Sequence, residues 1–218
     1  MIMHFAGVAV LCASTTAFAG SSLFSVPFQF GANNGSALVQ LPQFAADPQR
    51  TLSSVGFTLD ATIRAKVRAE NVGSTPGMIQ FSIQGDVSAT GVGIDAFAAG
   101  ILFNSPVVSL AGADANLLSG TDFINFGTVS ASQSVVTSPT QGLEAYSGNS
   151  SLPVVLGSTG RWTLHSGNGN TYFEIQDFEV VGTATITYTF STIPGPGALA
   201  LVGVGGLFAG RRRRAQAC

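Results

Sequence analysis

From Leu38 to Phe190, apolar and polar residues repeatedly alternate in twos, the spacing of a strand with one buried and one wet face, and a 3.6-residue period is almost absent. The longest run extends from Val55 to Ala69. Val55, Phe57, Leu59, Ala61, Ile63, Ala65, Val67 and Ala69 share one side, and Thr58, Asp60, Thr62, Arg64, Lys66 and Arg68 share the other. Such a run exceeds the usual strand of about 3 to 10 residues, so a bulge or bend is expected partway. Ile79, Phe81 and Ile83, alternating with Gln80, Ser82 and Gln84, predict the next strand, with a turn over Gly73 to Gly77 between the two. Ala184, Ile186, Tyr188 and Phe190, alternating with Thr183, Thr185, Thr187 and Thr189, predict the last one, where β-branched Thr suits a pleated surface.

Shorter candidates lie near Val107–Leu110, Val129–Val136, Gly160–His165 and Tyr172–Phe178, divided by turn-rich stretches such as 166–170. The segment Ala89–Gly100, rich in Gly and Ala, reads equally as a loop or a short helix. Seven or more strands without a long amphipathic helix to cross between parallel neighbours predict an antiparallel β-sandwich.

The two ends break this pattern. Residues 1–19 contain an apolar run from Phe5 to Cys12, then Ala17-Phe18-Ala19 before Gly20, the small-x-small sequence that signal peptidase accepts. They predict a signal helix, cut between Ala19 and Gly20. From Ile193 the chain reads as a Pro-Gly-Pro break, an apolar stretch to Gly210, and four arginines, Arg211, Arg212, Arg213 and Arg214. An apolar stretch of this length is near the lower end of the roughly 17 to 25 residues that cross a bilayer as a helix. The arginines would stay cytoplasmic, leaving the body of the chain outside.

That order of parts resembles the PEP-CTERM sorting tail of Gram-negative bacteria, with Pro194, Gly195 and Pro196 as the motif, Ala198–Ala209 as the helix and Arg211–Arg214 as the basic end. Gly195 stands where the family has Glu. The resemblance implies an exosortase, a membrane-embedded Cys-dependent transpeptidase, as the processing partner. A plain C-terminal membrane anchor is the alternative. Within the body, Leu41-Pro42-Gln43-Phe44, Thr51–Val55, Glu70-Asn71, Tyr146-Ser147-Gly148 and Thr185–Phe190 resemble the choice-of-anchor E domain. That family consists of exported bacterial β domains displayed on surfaces by varied tails, and the resemblance brings no catalytic residue with it.

Composition narrows the chemistry. Only 9% of the 218 residues are charged, about a third of what an ordinary soluble domain carries. Between Gly20 and Gly210 five cations stand against eleven carboxylates, a net −6, which argues against nucleic acid because phosphate binding needs clustered Lys and Arg. Residues 20–192 hold one His, His165, and no Cys, so neither Cys-His catalysis nor a His-rich zinc site can be assembled there. A hydrolase would need His165 joined by folding to a Ser and an Asp, and no G-x-S-x-G elbow is present.

Glu174, Asp177 and Glu179 suggest paired carboxylates for glycoside hydrolysis, but a solvated acidic face accounts for them as well. Asp114 with Asn116, and Asp122 with Asn125, supply too few oxygens for calcium at no EF-hand spacing, so no cofactor or metal is expected, a loop-borne calcium ion being the alternative. Trp162, the single Trp, is either a core anchor or an exposed platform for a sugar ring.

The sequence therefore predicts an all-β protein: an antiparallel β-sandwich over 20–192, with an N-terminal signal helix over 1–19 and a single C-terminal transmembrane helix within the tail, 193–218. The expected role is that of an exported, non-enzymatic structural or interaction protein of the envelope or extracellular matrix. The alternative is a carbohydrate-binding module that meets extracellular polysaccharide through Trp162.

Overall fold

The computed structural model describes residues 18–114, 116–139, 141–167 and 169–192. Most of the expected signal helix and the whole of the sorting tail lie outside them. Among the described residues no helix is long and apolar enough to cross a membrane.

Nine strands form two sheets: β1 (Phe18–Gly31), β2 (Ser36–Pro42), β3 (Arg50–Asn71), β4 (Gly77–Gly91), β5 (Ile94–Asn104), β6 (Val108–Leu110), β7 (Phe123–Thr137), β8 (Ser151–Ser166) and β9 (Thr171–Thr192). One sheet runs β1-β9-β3-β7. The other runs β2-β8-β4-β5, with β6 also on β4. Every strand pairing is antiparallel. The two sheets enclose a main core, with a small second cluster of Ala69, Ile79 and Leu110 where β3 passes to β4. This is the β-sandwich that the alternation predicts.

The alternation in β3 holds without a break: every second residue from Val55 to Ala69 is buried, and those between are partly or fully exposed. The irregularities expected within this run lie instead in its partners. Between the partners of Arg64 and Lys66, β9 sets two residues, Asp177 and Phe178, against the single Ala65. Opposite Val67 and Arg68, β7 carries Phe126. β3 itself has an extra residue only at Ser53, ahead of the run. A central strand with an unbroken buried face cannot slip by one residue without turning that face outward, so its neighbours absorb the twist.

Three elements differ from their expected form. Ala89–Gly100 is neither loop nor helix: β4 continues to Gly91, turns at Val92-Gly93 and returns as β5, with Gly93 at φ +61°. Tyr172–Phe178 and the last strand are one continuous β9 that bends at Asp177, a non-glycine residue at φ +50°. Before Leu38, where the alternation starts, the chain already forms β1, whose Pro27 is tolerated because β1 is an edge strand.

Aromatic rings fill both ends of the core. Phe81 meets Phe126 edge-on at 4.8 Å and stands 5.8 Å from Phe103 and 5.7 Å from Phe173. Near the termini Phe44 packs on Tyr188 at 5.7 Å and on Phe190 at 5.3 Å. Burial of each such ring stabilises the fold by about 1.5–3 kcal/mol. The turn after β3 crosses from one sheet to the other rather than closing a hairpin, and buried Asn71 holds it. Its Nδ2 donates to the carbonyls of Thr75 at 2.8 Å and Ala111 at 2.6 Å.

Candidate functional site

β8 carries the residues with the strongest claim to ligand contact. Over Val154–Gly157 it lies between β2 and β4. Past Gly157 β2 has ended, and β8 becomes an open edge. Trp162 sits on this open stretch, in register with buried Ile83 and therefore on the side that faces the other sheet. Its ring stands 5.2 Å from Phe173 of β9, tilted by 42°, yet half of its surface, 50%, remains exposed. Trp162 is thus neither a buried anchor nor a platform on a flat sheet face. It closes the mouth between the sheets with one side in the wall and the other in solvent.

The outward face of the same stretch is polar. Gln84 pairs with Arg161 and Asp86 with Thr159 across β4 and β8. The Gln84 amide oxygen faces the Arg161 guanidinium. Asp86 accepts from the Gly100 N–H at 2.7 Å, which the bulge in β5 turns toward it, and from the Thr159 hydroxyl at 3.4 Å. Together they line a cleft of about 170 Å³. A carboxylate, a guanidinium, an amide and a hydroxyl in one shallow cleft can donate and accept hydrogen bonds to a polyhydroxylated ligand. Sequence reasoning passed over this set, although Gln84 and Asp86 already share the polar side of a readable strand. Its partner Arg161 becomes visible only once β8 is paired.

His165 is exposed opposite Gln80, over a shallow pocket lined by Met78, Gln80, Val107, Leu164 and Ser166, with no carboxylate among the described lining residues.

Glu174, Asp177 and Glu179 do share one face, and the reason is the bulge. Two residues stand where one would, so the odd-numbered Asp177 and Glu179 return to the side of Glu174. That side is not solely acidic. Glu179 pairs with Arg64 at 2.7 Å, Asp177 with Lys66 at 2.6 Å and Glu174 with Arg68 at 3.3 Å, forming a ladder between β9 and β3. Gln29 of β1 donates to Glu179 as well, at 2.5 Å. Lys66, through its hydrogen bond and then its charge, holds the Asp177 carboxyl below its ordinary range.

Among the described residues no three His, Cys, Asp or Glu side chains form a metal-ligand group. Asp114 and Asp122, separated in the sequence, do meet: the Asp114 N–H donates to Asp122 Oδ2 at 2.9 Å.

Of the residues expected at the signal cleavage site, Ala17 lies outside the described residues. Ala19 and Gly20 lie in β1, paired with Ser191 and Phe190. Pro194, Gly195, Pro196 and Arg211–Arg214 lie outside the described residues.

No family model matches the chain, and no curated protein matches it. Among solved structures it is similar to chains of infectious bursal disease virus. For the Gx strain the identity is 13% and the TM-score 0.19, over 87% of this chain and 44% of that one. For the T13 viral particle the values are 14% and 0.15, over 86% and 42%, and for the VP2 subviral particle 12% and 0.16, over 93% and 51%. The chain thus spans about half the length of the viral chains it matches. At these scores the likeness bears on neither fold nor function.

Proposed function

We propose that the protein is an exported, non-enzymatic structural or interaction module, delivered by residues 1–19 and held at, or processed from, the membrane through residues 193–218. One observation carries this reading. Phe18 pairs with Thr192, whose hydroxyl donates to the Phe18 carbonyl at 3.1 Å, so both terminal segments leave the sandwich side by side. Before the cut the body is tethered through both ends, and neighbouring ends let the rest of the fold stand clear of the lipid. The opposite end, where β3 passes into β4, then points outward.

Cleavage between Ala19 and Gly20 would leave Gly20–Gly31 to pair with β9, so β1 survives the cut. Mass spectrometry of the protein recovered from its native cells tests the reading directly. An amino terminus at Gly20 and either an intact tail in the membrane fraction or a cut near Pro194–Pro196 are expected. Intact protein in the cytosol with both segments attached would overturn it.

The second reading, a carbohydrate-binding module, is favoured by two features at the open edge of β8: the half-exposed Trp162 on the side facing the other sheet, and the cleft of Gln84, Asp86, Thr159 and Arg161 on the outward side. Polysaccharide recognition uses a ring for stacking and a set of hydrogen-bonding groups, and a chain crossing the edge of β8 would meet the ring on one side and the polar groups of β4 and β8 on the other. Both readings agree on an exported body and differ in whether β8 meets a ligand.

A further inference from the structure

We infer that the loop between β6 and β7 binds a calcium ion between Asp114 and Asp122. The loop lies over the end of the β1-β9-β3-β7 sheet farthest from the termini. It is closed at its neck by the Ala111 N–H donating to the Thr121 carbonyl at 3.1 Å, and moored by the Asn71 N–H donating to the Asp122 carbonyl at 2.8 Å. Asp122 is fully buried, at 0% exposure, and its two oxygens have different fates. Oδ2 accepts from the Asp114 N–H, whereas Oδ1 has no hydrogen-bonding partner. An ionised carboxylate taken out of water needs a counter-charge or a full set of donors, and this one has neither.

The orphan oxygen faces a second one. Asp114 Oδ1 accepts from the Asn116 N–H at 2.9 Å, and its Oδ2 turns toward Gly120. A methyl group built on Gly120 would overlap Asp114 Oδ2 and stand 3.0 Å from Asp122 Oδ1, so both oxygens look into one space that only glycine leaves open. Gly120 is at φ +90°, a conformation that also favours glycine. A third carboxylate adds charge nearby: Glu70, 3% exposed, accepts from the Leu118 N–H at 2.7 Å. None of the four ion pairs among the described residues reaches Glu70, Asp114 or Asp122.

A divalent cation in that space would neutralise the buried Asp122 and engage Asp114. Calcium fits better than magnesium. It accepts irregular sets of about 6–8 oxygens in which main-chain carbonyls and water complete a few carboxylates, whereas magnesium demands a near-ideal octahedron. Two direct carboxylates suit the weak class of such sites, with Kd on the order of 0.1–1 mM.

Thermal melts of the full chain in detergent, in EGTA and at increasing CaCl2, test this, with MgCl2 as control and equilibrium dialysis against calcium for stoichiometry. One ion per chain and a saturable rise in melting temperature of about 3 °C at ~1 mM calcium are expected, with little response to magnesium. Asp122→Asn should abolish the response and, because it removes a buried unpaired charge, melt in EGTA at or above the parent temperature. Should that variant fail to fold, the more peripheral Asp114→Asn should lose at least tenfold in calcium affinity. An unbound, unresponsive parent chain would overturn the inference, as would equal responses to calcium and magnesium, or an unaltered response in Asp114→Asn.

Discussion

Tyr188, on the last strand, donates its hydroxyl hydrogen bond to the main-chain carbonyl of Pro42 at 2.8 Å, tying β9 to the end of β2 across the two sheets. The same end gathers Phe44 and Phe190 around the Tyr188 ring, and Tyr146 donates to the Val92 carbonyl at 2.6 Å. Pro42 and Phe44, Tyr146, and Tyr188 with Phe190, far apart in sequence, thus gather at one end of the sandwich.

Burial, and then the neighbouring Tyr146, push the Tyr188 hydroxyl up to about 12. An unfolded Tyr ionises near 10, so the folded state resists losing this proton. Its contribution to stability is fully present below about pH 10 and is lost as pH rises through about 12. Urea midpoints measured from pH 8 to 12 should therefore fall steeply above pH 10. Tyr188→Phe should be less stable at pH 8 by about 1 kcal/mol and show a shallower alkaline fall. Parallel curves for the two proteins would refute the assignment.

How much of this was legible beforehand differs by element. The period of two in β3, β4 and β9 named the core residues because each strand has one wet face. β1 lacks that signal: Leu23 and Phe24 are consecutive and both exposed, as a long edge strand permits. The bulge at Asp177 is invisible in β9 alone, since it exists to keep β9 in step with β3. The meeting of Asp114 and Asp122 depends on a loop closed by main-chain bonds, which no spacing rule announces.

The ladder between β3 and β9 should be worth little per rung. Arg64 keeps 40% of its side-chain surface in solvent and Glu179 keeps 18%. After allowance for screening, a double-mutant cycle on this pair should give about 1 kcal/mol, less at high salt. Asp177 titrates below its ordinary range in the folded state, so its contribution is present above about pH 4 and is lost as pH falls through the lower folded value. Asp177→Asn should flatten the acid limb of the stability curve, and an unchanged limb would assign it to other carboxylates.

Gly182 marks a close approach between strands. A methyl group there would overlap the Asp60 carbonyl and press on the Phe28 ring at 2.6 Å. Gly182→Ala should destabilise the fold by about 1–3 kcal/mol, since backbone on one side leaves no flexible group to move. Gly31→Ala, with nothing within 4 Å of the new methyl, is the control and should be nearly silent in the same melts.

If β8 binds polysaccharide, Trp162 should report it. The exposed half of the ring makes its fluorescence sensitive to a stacked sugar, while contact with Phe173 keeps the ring in place. Titration with soluble oligosaccharides should shift the emission of the single Trp, and Arg161→Ala should weaken the effect at least tenfold without altering the melt. A flat titration across neutral and acidic glycans would leave the structural reading alone in front.

The tail should separate location from folding. Phe18 and Thr192 meet at the edge of the sandwich, and the strands between them enclose a buried core. Replacing Arg211–Arg214 with Ser would remove the charges that, on the proposed reading, keep the tail's apolar segment from passing through the membrane. The variant should melt within 1 °C or so of the parent, because none of the contacts among the described residues is altered. Its distribution between membrane and medium, or its processed mass, should change. A variant that melts and localises like the parent would show that the arginines are not read by the cell, and the role of residues 193–218 would then have to rest on their hydrophobicity alone.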